Sequence, residues 1–333
     1  MDTGVKDVRV RLRDGIEVET QSMGTITFDP SRPAGDMTVV SHAHTDHIPR
    51  RKPDAPVVAS PLTARLAAER RGWSELPITD HPTIELLPSG HIEGGCAALV
   101  RDDGCTILYT GDVCTRDRPG ISGFDPVSAD VLILEATYGT PDYCLPPVHE
   151  VIEDIDNWID NSDGSPLILY GYAIGRAQRI IRLFEDNFDV TVKTTEAIHR
   201  YNEIIAEETG RAFEAALFEP GETLKDDEAL VIPNNAARTK WMKQLIDETN
   251  AKTAGVTGWA IEQGYRYRRN VDVGFPLSDH CDYNELLELV DDIEPTITYL
   301  HHGFTTELAR GLTKCGHRTR ALVPGQSSLE SFW

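Results

Sequence analysis

The sequence predicts an α/β protein in two parts, a strand-rich domain interrupted by a helix–strand insertion and completed by the C-terminal segment. Three observations carry this. Over the first 140 residues, short apolar or alternating runs are separated by Gly, Pro and Asp, the pattern of strands and turns. From Val148 onward, apolar residues recur at helical spacing between short β-branched runs. Side chains suited to metal binding stand near both ends of the 333 residues, so the last segment has to rejoin the first for them to meet. That length allows two domains, with boundaries expected at 1–165 plus 266–333 for the first and 166–265 for the insertion.

The expected strands of the first part are Thr25–Asp29, Met37–Ser41, Val57–Ser60, Thr83–Leu87, Ala97–Arg101, Thr106–Thr110 and Val131–Glu135, with a helix over 62–71. Val148, Val151, Ile152, Ile155, Trp158 and Ile159 share one helix face. Strand Leu167–Tyr170 then meets Gly-Tyr-Ala-Ile-Gly-Arg-Ala-Gln, which opens a helix to about Asp186. Val190–Lys193 with a helix over 195–208, and Leu230–Pro233 with a helix over 237–250, continue the alternation. Near Val271 a further run ends in Ser-Asp-His. It is followed by a helix over 283–292, strand Thr296–His301, a helix from Thr305 and strand Ala321–Pro324.

Apolar content of 40% and charged content of 26% are those of an ordinary globular chain. No stretch approaches the roughly 18 apolar residues of a membrane helix, and the N-terminus lacks the apolar core of a signal peptide. A cytoplasmic protein with no membrane partner is expected. The net charge of −22 is not ordinary, and of the 32 cations 24 are Arg. An acid-rich, Lys-poor surface suits molar intracellular salt, where the Debye length shrinks to about 3 Å; a haloarchaeal source is expected on that ground. Six Cys without a C-x-x-C pair read as reduced thiols.

Residues 41–47, Ser-His-Ala-His-Thr-Asp-His, concentrate three imidazoles and a carboxylate for which burial offers no reason. A strand ending at Ser41 throws His42 and His44 to one side, because side chains alternate with period two. Asp46 and His47 follow in a turn and can face a second, adjacent point. Two ligand pairs aimed at two points suggest a dinuclear site, and imidazole with carboxylate suits zinc. Further candidates stand at strand ends: His91 in a glycine-freed loop, Asp112 in Leu-Tyr-Thr-Gly-Asp, and His302 in Tyr-Leu-His-His-Gly. Asp29 is placed to orient a ligand imidazole from behind. Glu135 ends an apolar strand and His280 sits in Leu-Ser-Asp-His-Cys-Asp-Tyr. A His held by a carboxylate keeps its proton near neutrality, as a general acid must.

Across nearly its whole length the chain resembles the metallo-β-lactamase fold, and within it the β-CASP nucleases. The matching elements are Asp29, the His42/His44/Asp46/His47 run, His91, Asp112, Glu135 in Glu-Ala-Thr-Tyr-Gly, Gly175 to Gln178, His280 and His302. The resemblance implies an αββα sandwich with an inserted compact α/β cap. It implies one zinc held by His42, His44 and His91 and a second held by Asp46, His47 and His302, with Asp112 bridging; manganese is the alternative ion. The choice of His302 over His301 comes from the resemblance, through the following Gly303. Asp46, Glu135 and His280 are the residues it marks for catalysis.

A two-cation centre can activate water and neutralise charge on a phosphodiester, so a nuclease acting on single-stranded or end-containing nucleic acid is expected. His280, supported by Glu135, would protonate the departing oxygen. In the cap, Gly175 and Arg176 at a helix start combine free backbone N–H groups with a guanidinium, which suits a phosphate, and Arg179 lies on the same helix. The run Tyr265–Arg269 interleaves aromatic and cationic residues as single-strand binders do; a plain edge strand fits it equally well. The compact cap looks closest to ligase-associated and Artemis-like DNA exonucleases, with DNA ligase or repair proteins as partners. The alternative is an RNA nuclease of the mRNA 3′-end processing type. A small-molecule metallo-hydrolase would leave Glu135, His280 and the cap without purpose. A non-catalytic nucleic-acid-binding subunit would be expected to have lost ligands, and none is missing.

Overall fold

The computed structural model describes residues 8–323. They divide into two compact units, one comprising the residues up to Cys144 with those from His280 onward, the other Leu145–Asp279.

In the first unit, β1 (Arg9–Leu12), β2 (Ile16–Glu19), β3 (Thr25–Phe28), β4 (Met37–Val39) and β5 (Val57–Val58) form a sheet in that order. Helix α1 (Pro61–Arg71) follows, its first turn capped by Ser60. Next come β6 (Ile84–Pro88), β7 (Cys96–Asp102), β8 (Cys105–Tyr109) and β9 (Val131–Glu135).

The second unit begins with α2 (Val148–Asp160) and runs through β10 (Leu167–Gly171), α3 (Arg176–Asn187), β11 (Thr191–Thr194) and α4 (Glu196–Thr209). It continues with β12 (Ala216–Leu217), β13 (Glu228–Pro233), a 3₁₀ turn over Asn234–Arg238, α5 (Lys240–Thr249), β14 (Lys252–Val256), α6 (Tyr265–Arg269) and β15 (Val273–Phe275). Its strands pair in parallel in the order β12-β11-β13-β10-β14-β15. A parallel sheet needs both faces covered. Here α2, α3 and α4 pack on Leu167, Leu169, Val231 and Val256, while Met242 and Leu245 of α5 pack on Ile168, Leu230 and Ile232 of the other face.

The boundaries expected at 165 and 266 therefore move outward. Val151 and Ile155 of α2 share a core with Phe275 and Leu277 of the second unit. The apolar stripe of that helix finds its partner in the parallel sheet, which fixes the unit to which it belongs. The run Tyr265–Arg269 is a short helix, not an edge strand.

The return to the first unit supplies α7 (Tyr283–Ile293), β16 (Ile297–His301), α8 (Thr305–Lys314) and β17 (Thr319–Ala321). These strands complete a sheet of order β17-β16-β9-β8-β7-β6. The strand expected over Ala321–Pro324 is thus displaced toward the N-terminus, and Pro324 lies outside the described residues. One core lies between the two sheets of this unit: Ile26, Phe28 and Val39 of the first meet Ile107, Tyr109, Ile133 and Tyr299 of the second. Alternation sends Leu108, Leu132, Leu134 and Leu300 to the opposite face, where α7 and α8 cover them. Helix α1 packs Ala64 and Ala67 with Val57 on the outer side of the five-stranded sheet. Among the described residues no helix is long and apolar enough to cross a membrane.

Candidate metal centre

Strand direction brings the predicted residues of the first unit to one edge. Strands β8, β9 and β16 are mutually parallel, so the turn after β8 (Asp112), the last residue of β9 (Glu135) and the end of β16 (His301, His302) share it. Strand β7 runs antiparallel to β8, which returns the preceding loop, with His91, to the same edge. Strands β3 and β4 are parallel in the other sheet and deliver Asp29 and the run from His42 to His47. Two glycines make these turns feasible. Gly111 has φ +57, and a Cβ there would stand 2.7 Å from Ser41 Oγ; Gly303 has φ +62, and a Cβ would collide with the Ala136 carbonyl.

The imidazoles converge on one carboxylate oxygen. Asp112 Oδ2 lies 3.4 Å from His42 Nε2, 3.5 Å from His91 Nε2 and 3.6 Å from His47 Nε2. His44 Nδ1 lies 3.3 Å from His91 Nε2. Ligands about 2.0–2.1 Å from a tetrahedral cation stand about 3.3–3.4 Å from one another, so these separations are those of a ligand shell. His42, His44, His91 and Asp112 form one group able to hold a cation. The buried Nε2 of His42 has no hydrogen-bond partner, a costly state for a polar atom unless a ligand satisfies it. Burial, and then the neighbouring His47, His44, His91 and His280, holds the His42 pKa well below that of an ordinary imidazole. A neutral ring is the form that binds metal.

Asp29 aims the next imidazole. Its carboxylate accepts from the Ser41 N–H at 2.7 Å, from the Ser41 hydroxyl, from the Tyr109 hydroxyl at 2.8 Å and from His47 Nδ1 at 2.7 Å. With its Nδ1 so fixed, His47 presents Nε2 to Asp112 and, at 3.9 Å, to Asp46 Oδ2. Burial works against the charge of His47, but Asp112, Asp29 and Asp46 outweigh it and raise its pKa to about 10. Asp112 is raised by burial, against the lowering effect of His47. Asp46 and His302 are exposed. Among the described residues, both lie outside the groups that could hold a cation; Asp46 is lowered, against burial, by His47 first and by His302 least. Its neighbour His301 is buried and stacked on Tyr109, with ring centroids 5.5 Å apart, and its Nε2 has no partner. Burial lowers the His301 pKa to about 4.

Beside this cluster, His280 Nδ1 lies 2.7 Å from Glu135 Oε1. Glu135 also accepts from the Val113 N–H at 3.1 Å, the Thr137 N–H at 3.1 Å and the Thr137 hydroxyl. Burial would raise its carboxyl, yet the charge of His280 and these donors together hold it at about 2. The His280 and His91 rings are 4.5 Å apart, and Arg116 donates to the His280 carbonyl at 2.7 Å. His280 does not cap α7; Asp282 does, accepting from the Glu285 N–H while Glu285 accepts from the Asp282 N–H. Asp112, Glu135 and His280 form a further group close enough to share a cation, but the four donors on Glu135 leave it better suited to orienting His280.

The predicted phosphate contacts of the second unit need correction. Arg176 and Arg179 are only 4% and 8% exposed. Arg176 Nε lies 2.7 Å from Asp279 Oδ2 and its Nη1 donates to the carbonyls of Val256 and Leu277. Arg179 Nη1 lies 2.9 Å from Asp279 Oδ1 and donates to the Ser278 carbonyl. Gly175 spends its N–H on Gln178 Oε1 at 2.7 Å. The motif ties α3 to the end of the sheet and offers no free donor fork to a phosphate. Sequence reasoning missed Ser41, Tyr109, Thr137, Arg116 and Arg118, the last donating to the His91 carbonyl at 2.8 Å. Only proximity within the motifs, as for Thr137 two residues after Glu135, could have signalled any of them.

No protein-family model matches the chain. It is similar to a probable DNA ligase of Opitutus terrae, 30% identical over 289 residues that make up 83% of this chain and 28% of the relative. An RNase J-like protein of Methanocaldococcus jannaschii is 27% identical over 281 residues, 69% of this chain and 66% of the relative. Cleavage and polyadenylation specificity factor 73 of Drosophila melanogaster is 29% identical over 106 residues, 29% of this chain and 15% of the relative. These similarities support the β-CASP metallo-β-lactamase family. The chain spans less than two thirds of the length of each of these relatives. A solved structure of a protein of unknown function from Enterococcus faecalis covers 96% of this chain and 98% of its own, at TM-score 0.61 and 14% identity, a likeness of fold alone.

Proposed function

We propose that the chain is a dinuclear, metal-dependent phosphodiesterase of the β-CASP type, acting on nucleic acid. The first unit is read as an αββα metallo-β-lactamase domain and the second as its inserted cap. The observation that carries this is the convergence of three imidazole Nε2 atoms on Asp112 Oδ2 within 3.4–3.6 Å, beside a His280–Glu135 pair at 2.7 Å. His42, His44 and His91 would hold one cation, Asp46, His47 and His302 the other, with Asp112 shared; zinc suits this donor set, with manganese the alternative. Bound cations supply an activated water and neutralise charge on the phosphate.

The chain's own residues supply the proton. Ionised Glu135 fixes the Nδ1 proton of His280 and stabilises the imidazolium, whose Nε2 proton can pass to the departing oxygen. Once it is given up, the neutral ring keeps the same Nδ1 hydrogen bond.

DNA is the preferred substrate, and a cytoplasmic repair exonuclease the preferred role. The support is that 83% of this chain matches about a quarter of a probable DNA ligase, as expected of an end-processing activity that accompanies a ligase. An RNA nuclease is the second reading, favoured by the RNase J-like and cleavage-factor relatives. The test is side-by-side digestion of end-labelled single-stranded DNA and RNA by the zinc-loaded chain. Degradation of DNA from an end supports the first reading and preference for RNA the second; no cleavage of either by protein of full zinc content would overturn the proposal.

A further inference from the structure

The second unit has a basic cavity that the metal centre does not use. It encloses about 460 Å³ and contains Arg238, Lys243, Arg268 and Arg269 but no carboxylate. Acids outnumber cations 54 to 32 in this chain, and the neighbouring 820 Å³ groove of the same unit shows the common pattern, with Glu196, Glu219, Glu222 and Glu248 and no cation. The smaller cavity therefore gathers cations in its wall where the larger groove gathers acids, although Asp272 stands near enough to add, after burial, to the raised pKa of Tyr170. Arg268 is paired with Glu262. Arg238, Lys243 and Arg269 are exposed and, among the described residues, have no salt bridge.

Its place in the sheet points the same way. The cavity is lined by Tyr170 of β10, Gly255 of β14 and Asn234 just after β13, the carboxyl ends of three adjacent parallel strands. The helix after β10 packs on one face of this sheet and the helix after β13 on the other. That change of face is the topological switch point at which open α/β sheets bind ligands. Two of the large apolar side chains left exposed are beside it: Tyr267 of α6, 74% exposed, and Tyr172, 57% exposed. Tyr172 is close enough to influence the ionisation of Tyr265, which lines the cavity.

We infer that this cavity binds a phosphate of a single nucleic-acid strand, held by Arg238, Lys243 and Arg269, with flanking bases stacked on Tyr172 and Tyr267. The inference rests on nucleic acid being the substrate. It places the strand contact in side chains distinct from Arg176 and Arg179, which the fold consumes. Cations beside aromatic rings are the usual equipment of a single-strand groove; one face of Tyr267 carries the Arg266 guanidinium, 4.7 Å from the ring centroid, so a base would take the other face.

The test is fluorescence anisotropy with a labelled oligothymidylate of about 15 nucleotides, in EDTA so that hydrolysis cannot intervene, over a KCl series. Arg238→Gln with Arg269→Gln should weaken binding at least tenfold and reduce the magnitude of the salt slope by about 1.4, the value for two lost phosphate contacts on a single strand. Tyr267→Ala should weaken binding about tenfold with the slope unchanged. A control of equal charge change on α8, Arg310→Gln with Lys314→Gln, should bind as wild type. Wild-type affinity in the cavity variant, or an equal loss in the control, would overturn the inference. Thermal unfolding of the variants should match wild type, since the altered groups are exposed. Cleavage of the same strand by the zinc-loaded wild type is read separately. If it is absent while binding still depends on the cavity, the nuclease reading fails and the binding site stands.

Discussion

In the absence of metal, His47 lies among Asp29, Asp46 and Asp112, which raise it to about 10 against the effect of burial. An ordinary imidazole titrates near 6.5, so the sign of the linkage follows. The protonated ring stabilises the fold fully below about pH 6.5, and that contribution is lost as pH rises toward 10. The thermal midpoint of chelated protein should therefore fall across that range, and Asp29→Asn should flatten the dependence; a flat wild-type profile would contradict the assignment. A cation needs the same Nε2 that carries the proton, so zinc binding at pH 7 should release protons, measurable as a buffer-dependent enthalpy in calorimetry. At the neighbouring pair, His280→Ala should lower the cleavage rate by about 10²–10⁴-fold while zinc content stays at the wild-type value. Full activity in that variant would remove His280 from the proton transfer.

At the scale of elements, the sequence made the strands around the site legible because each ends in a polar residue that burial cannot explain. Strand β9 coincides with its apolar run to the residue, and the strands before His42, His91 and Asp112 end within one or two residues of theirs. Strands β1 and β2 were not, because charged residues in Arg-Val-Arg-Leu and Ile-Glu-Val-Glu dilute the apolar signal. Strand β14, Lys-Thr-Ala-Gly-Val, is buried between neighbours that excuse its weak propensity. The ligand candidates were legible for the same reason as the strand ends, whereas Tyr109 is bound to Asp29 across 80 residues of sequence and no local pattern announces it. Helix α3 shows the limit most clearly. Its Gly-Arg-Ala-Gln start has the composition of a phosphate cradle, but Asp279, about a hundred residues on, lies between both guanidinium groups. Removing one member of a buried, hydrogen-bonded ion pair costs about 3–5 kcal/mol. Asp279→Ala should lower the denaturation free energy by about that amount, and an unchanged midpoint in urea would show that the arginines are satisfied by carbonyls alone.

For the whole molecule the governing quantity is the net charge of −22. Charge of one sign spread over a folded surface destabilises the compact state through self-repulsion, and the unfolded chain relieves it by expanding. Salt removes the penalty, because the Debye length falls from about 10 Å at 0.1 M to about 3 Å at 1 M. Surface ion pairs such as Arg9–Glu19 and Arg101–Glu85 oppose this trend, but exposed pairs contribute only about 0–1 kcal/mol each and are themselves screened. With acids exceeding cations by this margin, repulsion outweighs them. The thermal midpoint should therefore rise with KCl through the molar range, and sodium chloride should serve as well, since screening does not distinguish the two ions. A midpoint independent of salt between 0.1 and about 2 M would show that the acidic surface is tolerated rather than adapted to high salt. The same titration separates two responses to salt within one molecule. Stability should rise with screening while strand affinity at the basic cavity falls, because one depends on repulsion among carboxylates and the other on counterions released from phosphate.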